Sequence, residues 1–195
     1  MTEASASHDD ERAAASGRTL VLLTVSLCTM LYSLTVTIVN VTLPQLQGAL
    51  SATPDQVAWV VTLNLVATAI VTPMTGWLVG RFGRRPVMIW SVFGFALSSL
   101  LCATAASLAP LLLYRIGQGA FGAPLVPLSQ ALIVATYPAK DRAMAQGFFG
   151  MSVVLGPAIG PVFGGYLAEE YSWRWVFLLI VPLAFGALLM VLAKR

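Results

Sequence analysis

Arg115 is the residue whose type and position most need a chemical explanation. It lies in Leu113-Tyr114-Arg115-Ile116-Gly117-Gln118-Gly119, close to the start of an apolar stretch that is otherwise free of charge. A guanidinium inside hydrocarbon costs roughly 2.5–3.5 kcal/mol even on the lenient insertion scale. At helical spacing Arg115, Gln118, Gly119 and Gly122 share one face, so the cation points where an amide can meet it and small residues leave room. The bland reading is an arginine that snorkels to a surface one turn away. Gln118 and the glycines favour a built polar site instead, since a snorkelling side chain does not need them.

Two polar stripes accompany it. Ser33, Thr37, Asn40 and Pro44 recur at i, i+4, i+7 and i+11, and Asn64, Thr68, Thr72 and Thr75 at i, i+4, i+8 and i+11. Hydroxyls in such helices commonly bond their own upstream carbonyls, and this is the reading for the threonines. An amide is harder to satisfy locally, so Asn40 is expected to face protein or a wet cavity. Two matching stripes favour a lined path over helix packing, with Ser33, Thr37, Asn40, Asn64 and Thr68 expected to line it. No His, Asp, Glu or Lys lies within the apolar stretches, and neither Cys28 nor Cys102 has an activating neighbour. Enzyme chemistry and metal binding therefore have no support. Both cysteines read as small buried apolar residues rather than a disulfide.

Glycine marks two further sites. In Gly156-Pro157-Ala158-Ile159-Gly160-Pro161-Val162-Phe163-Gly164-Gly165, three glycines recur every fourth residue with Pro157 and Pro161 beside them. On a helix this is a groove without side chains, tolerable in lipid because neighbouring helices can re-satisfy the backbone. In Gly76-Trp77-Leu78-Val79-Gly80-Arg81-Phe82-Gly83-Arg84-Arg85, Gly76 and Gly80 predict a close helix crossing and Gly83 a tight reversal. Arg81, Arg84 and Arg85 sit where a helix C-terminus and an anionic leaflet both favour cations.

The elements that position these residues are spans. The chain has 195 residues, 58% hydrophobic and 10% charged, against roughly 25% charged in soluble domains. Six charge-free runs, Thr19–Pro54, Gln56–Gly80, Pro86–Tyr114, Ile116–Ala139, Ala143–Ala168 and Trp175–Ala193, are each long enough for a helix of ~20 residues to cross a bilayer, and place spans at about 19–45, 56–80, 86–106, 111–135, 143–168 and 174–193. Span three is bland and reads as peripheral. Thr53-Pro54-Asp55-Gln56 is a good helix start, with a capping threonine and a Gln three residues on, and Trp173 and Trp175 suit an interfacial belt. The net charge of +3 is not spread evenly. Arg12, Arg18, Arg81, Arg84, Arg85, Lys140, Arg142, Lys194 and Arg195 all fall on one side of an even-numbered topology, which predicts both termini in the cytoplasm. Nucleic-acid binding has no support; lipid is the expected surroundings. Residues 1–18 carry His8 and several charges, lack an apolar run, and are expected to be a disordered cytoplasmic tail rather than a signal peptide.

Five motifs in order resemble the N-terminal half of a major facilitator superfamily transporter, closest to the fourteen-span drug:proton antiporter family. Ile38-Val39-Asn40-Val41-Thr42-Leu43-Pro44 is similar to that family's span-one motif, and Gly76 to Arg85 to the loop motif between spans two and three. Arg115-Ile116-Gly117-Gln118-Gly119 resembles the span-four motif, whose arginine the family implicates in proton coupling. Gly156-Pro157 through Gly164-Gly165 resembles the span-five antiporter motif, and Trp173-Arg174-Trp175-Val176-Phe177 the start of span six. Residues 19–195 are covered. The resemblance implies an all-α membrane protein, with six transmembrane helices forming one half, a 3+3 inverted repeat, of a major facilitator fold. It implies efflux of small amphipathic compounds by alternating access, driven by H+ with no cofactor, in a bacterial inner (plasma) membrane. Arg115 and Gln118 would then organise a polar site, and Gly76 to Arg85 would form a cytoplasmic gate. The span-five groove would pack on a second half of six to eight helices.

Three departures qualify this. Thr35 stands where the family has an aspartate, Gly80 where an acidic or arginine residue is usual, and Asn64 where a span-two tyrosine is common. No carboxylate remains within the six spans, and Arg115 keeps its proton at physiological pH, so the titrating acid is expected in sequence outside this chain. The substrate site of the fold lies between two halves. This chain supplies one, which is expected to be a fragment of a longer protein. The alternative is a half-transporter that does not transport but associates with another membrane protein.

Overall fold

The computed structural model describes residues 2–193 in backbone and 17–192 in side chains. Its helices are α1 (Thr2–Ala49), α2 (Pro54–Phe82), α3 (Arg84–Thr104), α4 (Leu108–Gly122), α5 (Leu125–Thr136), α6 (Ala139–Glu170) and α7 (Trp173–Ala193). Six segments are long and apolar enough to cross a membrane, because α4 and α5 together make one of them, Leu108–Thr136. All six expected spans are present, most of them longer than the charge-free runs. The helices continue past the last apolar residue into charged turns, as with Asp141 in the first turn of α6 and Arg81 in the last turn of α2.

Span four departs from the continuous helix that was expected. Pro124 and Pro127 have no N–H, so the carbonyls of Ala120 and Ala123 lose their helical donors. The chain bends there rather than looping, since Ala123 (φ −53, ψ −44) and Pro124 (φ −72, ψ −16) stay in the helical region. The backbone of residues 2–18 also differs from the disordered tail expected of it. It continues α1, in keeping with its run of alanines and with propagation from a formed helix being easier than nucleation. His8 and the other side chains before Gly17, with Met1, Lys194 and Arg195, lie outside the described residues.

Packing centres on α1, which touches α2, α5, α6 and α7, while α3 packs on α4 and α7 and α2 packs on α4. Span three was read as peripheral. It is instead the most deeply buried of the six, because Ser91, Gly94, Ser98 and Ser99 are small enough to let α4 and α7 close on it. Two apolar clusters form the core. One holds Val25, Leu31, Met88, Phe95 and Leu125 near the basic end, the other Ile38, Val60, Cys102, Leu111 and Phe177 toward the opposite end. On α1, α3 and α4 the seam between them carries polar residues: Thr35 between Leu31 and Ile38, Ser99 between Phe95 and Cys102, Arg115 and Gln118 between Leu111 and Leu125.

Candidate functional site

The seam brings together four of the residues singled out from the sequence, Arg115, Gln118, Asn64 and Thr68. Arg115 is 1% exposed, which excludes snorkelling. Its Nε donates to the carbonyl of Val60 on α2 at 3.0 Å, and its NH1 donates to Oε1 of Gln118 one turn along α4. Hydrogen bonds to a charged group contribute roughly 1.5–3 kcal/mol each, so two are of the size needed to offset the insertion cost given above. Gln118 passes the connection on: its Nε2 donates to Ser99 Oγ at 2.7 Å, and Ser99 donates to the carbonyl of Phe95 at 2.8 Å. Among the described residues the charge is solvated by backbone and amide dipoles rather than by a counter-ion.

Asn64 and Thr68 belong to the same cluster. Asn64 Nδ2 donates to the carbonyl of Arg115 at 3.0 Å, and Thr68 Oγ1 reaches the carbonyls of Asn64 and Gly119 at 2.9 and 3.2 Å. Tyr32 donates to Thr68 Oγ1 at 3.3 Å, which brings α1 in. The expectation that Asn64 lines a cavity is therefore corrected. It is 3% exposed and holds α2 against α4, because Gly119 has no side chain to keep the Asn64 backbone away. Gly122 does the same for the Tyr32 ring, where an added Cβ would meet the ring carbons at 2.8 and 2.9 Å.

Span one divides. Thr37 bonds the carbonyls of Ser33 and Leu34, both at 3.1 Å, as the local reading of the threonines predicts. Ser33 and Thr37 are half-buried beneath α6, while Asn40 is exposed. Thr35, in the place of the family aspartate, is buried and donates to the carbonyl of Leu31 at 2.7 Å. Of the proposed cavity residues Asn40 is the exposed one. Gln130 on α5 is a second exposed amide, and sequence reasoning missed it.

The span-five groove is also corrected. It packs inside this chain, on α1, not on an absent half. A Cβ at Gly156 would sit 2.8 Å from Leu34 N and 2.9 Å from the carbonyl O of Met30; one at Gly160 would sit 2.6 Å from Thr37 Oγ1; one at Gly164 would collide with Ile38. Gly165 has only an ordinary contact, 3.7 Å from Val41. Pro157 and Pro161, a step round the helix, are exposed.

At the loop motif, Gly83 alone links α2 to α3. Its φ of +88 is a conformation that side chains rarely adopt, and its N–H closes α2 on the carbonyl of Val79 at 2.9 Å. Gly76 and Gly80 do not make the predicted close crossing, since nothing lies within 4 Å of a Cβ at either position. Their face of α2 is uncovered. Arg81, Arg84 and Arg85 are exposed, and Arg85 donates to the carbonyl of Leu192 at 3.2 Å, joining the start of α3 to the end of α7.

At the far end the capping box at Thr53 and Gln56 forms as predicted. Trp173 is buried; it packs on Phe177 and under the guanidinium of Arg174, which donates to the carbonyl of Ala105 at 3.1 Å. Trp175 is exposed. Both cysteines are buried and free.

Residues 25–195 match the family model described as Major Facilitator Superfamily. Multidrug export protein EmrB of Escherichia coli (strain K12) is 39% identical over 178 residues, covering 90% of this chain and 35% of that protein. EmrB of Haemophilus influenzae is 42% identical over 175 residues, covering 89% and 34%. The fatty acid resistance protein FarB of Neisseria gonorrhoeae is 37% identical over 163 residues, covering 84% and 32%. The chain thus spans about a third of the length of these relatives. Among solved structures, the proton:xylose symporter XylE bound to 6-bromo-6-deoxy-D-glucose superposes with a TM-score of 0.81 at 18% identity, over 92% of this chain and 45% of that one. A bacterial homologue of the human lysosomal transporter Spinster, inward-facing and occupied, gives 0.77 at 23% identity over 91% and 43%. At these identities the likeness is one of fold. With six spans in this arrangement and the family match running through all of them, the chain is a membrane protein that belongs to the major facilitator superfamily.

Proposed function

We propose that this chain forms one half of an exporter of small amphipathic molecules that works by alternating access and is driven by protons. The observation that carries the reading is the identity of 39% across 90% of the chain with a protein named for multidrug export. The geometry agrees with it. α2 and α6 are the least covered spans, and exposed Asn40 lies on α1, which touches both. An amide facing lipid is unfavourable, so this side fits a second half and a polar space between the two. In this reading the exposed faces of α2 and α6, with Gly76, Gly80, Pro157 and Pro161, meet the second half, and Asn40 and Gln130 face the substrate path. Arg115 supplies a fixed positive charge near the seam; the group that takes up and releases the proton belongs to the other half. The basic end lies in the cytoplasm, with both termini, and the membrane is the bacterial inner membrane.

A second reading, a half that associates with another membrane protein without transporting, is favoured by Thr35 standing in for an aspartate and by spans without carboxylates. Ethidium efflux from cells carrying the intact reading frame separates the two. Efflux above the empty-vector level that a protonophore abolishes supports export; no efflux from a correctly inserted protein supports association.

A further inference from the structure

We propose that a cleft at the basic end of the bundle is a binding site for one anionic phospholipid, with an acyl chain between the helices and the phosphate on Arg84 and Arg85. The cleft has a volume of about 250 Å³ and lies where four helices part: Val21 and Val25 of α1, Met88 of α3, Leu132 of α5, and Met190 and Val191 of α7 form its walls. The one other polar residue in the wall, Thr24, already donates its hydroxyl to the carbonyl of Leu20 at 2.7 Å. Water would find no free partner there, and a site of that kind takes an apolar guest. A methylene is close in size to a water, for which about 10–15 Å³ of such volume suffices, so the cleft has room for a run of several methylenes.

The mouth decides the headgroup. Arg84 and Arg85 line it, no carboxylate among the described residues does, and both arginines are exposed. Arg85 is steadied across the gap by the carbonyl of Leu192, while Arg84 has no such partner among the described residues. Arg84 and Met88 are one turn apart, about 6 Å along α3, which is the order expected for a headgroup at the interface with its chain just beneath. Free phosphate would leave the apolar volume empty, and a zwitterionic lipid would set its ammonium beside two cations. A phospholipid with net negative charge satisfies both parts. The site does not involve the Arg115 cluster, and the inference stands whether or not the chain exports.

Native mass spectrometry of the full chain, released from nanodiscs with equal phosphatidylglycerol and phosphatidylcholine, tests it. One retained phosphatidylglycerol per chain is expected, favoured by about thirtyfold for two basic side chains near the surface. Arg84→Gln with Arg85→Gln should bring the preference close to one. Because those arginines also help to orient the chain, Leu132→Trp provides a separate test: it fills the cleft with the charges intact and should also abolish retention, while Leu189→Trp on an exposed face should not. Equal retention of the two lipids by the wild type would overturn the proposal. So would undiminished phosphatidylglycerol retention in Leu132→Trp, which would mean surface charge alone, or displacement of the lipid by equimolar ethidium, which would mean a substrate site.

Discussion

The α1–α6 contact predicts a graded response to one added methyl group. At Gly156 the new Cβ would meet backbone, Leu34 N at 2.8 Å and the carbonyl O of Met30 at 2.9 Å, so neither helix can yield without moving as a whole. At Gly160 the closest atom is the Thr37 hydroxyl at 2.6 Å, a side chain that can rotate if it gives up its local hydrogen bonds. At Gly165 the nearest atom is 3.7 Å away, ordinary contact. Overpacking costs about 1–3 kcal/mol, while replacing a helical glycine by alanine returns roughly 0.8–1 kcal/mol of propensity. Gly156→Ala should therefore be destabilised by about 1–2 kcal/mol, Gly160→Ala should be close to neutral, and Gly165→Ala should be stabilised by about 0.5–1 kcal/mol. Buried free Cys28 and Cys102 offer the assay: a thiol-reactive dye reports unfolding in detergent as they become exposed. Equal melting temperatures for all three variants, or Gly165→Ala as the weakest, would refute the packing of the groove on α1.

The two asparagines should separate stability from transport. Asn64→Leu removes the bond to the Arg115 carbonyl and should cost about 1 kcal/mol in the same melting assay, whereas exposed Asn40→Leu should leave the melt unchanged and lower efflux. Ser99→Ala removes the hydroxyl that accepts from Gln118 and should cost about 1–3 kcal/mol, since the amide is then left buried with an unmet donor. Thr62→Ala, at an exposed threonine bonded only to its own helix at Ala58, should stay within about 0.5 kcal/mol of the wild type.

Arg115 was legible because charge is scarce here: an ion in an apolar run has a cost that something must offset, and Gln118 and Gly119 stood at the spacing to help. The reversal at Gly83 was legible for a similar reason, since few residues can adopt its conformation. What periodicity does not carry is the identity of the neighbour. Gly156, Gly160 and Gly164 announced a close contact, but the same spacing serves a helix of this chain or of another, and α1 proved to be the partner. Gly76 and Gly80 have matching spacing and nothing beside them. Asn64 read as cavity-lining because its stripe matches that of span one, and the sequence could not reveal that a carbonyl 51 residues away would take its amide. Ser99 was missed because a serine adds little polarity to a hydropathy window. Ser91, Ser98 and Ser99 at i, i+7 and i+8 were the available sign that span three has a packed face. The bend at Pro124 was visible in the paired prolines and was hidden by the unbroken apolar run around it.

The central claim is that Arg115, held by neutral groups at the seam of the bundle, is a fixed charge that an exporter uses for proton coupling. Inverted membrane vesicles carrying the intact reading frame, energised by an imposed pH gradient, test this with ethidium uptake in wild type and Arg115→Lys. Lysine keeps a charge but loses the planar fork that bonds Val60 and Gln118 together. The account predicts that Arg115→Lys inserts normally, still binds ethidium, and loses uptake driven by the gradient. Gradient-driven uptake at the wild-type rate in a correctly folded Arg115→Lys protein would contradict it.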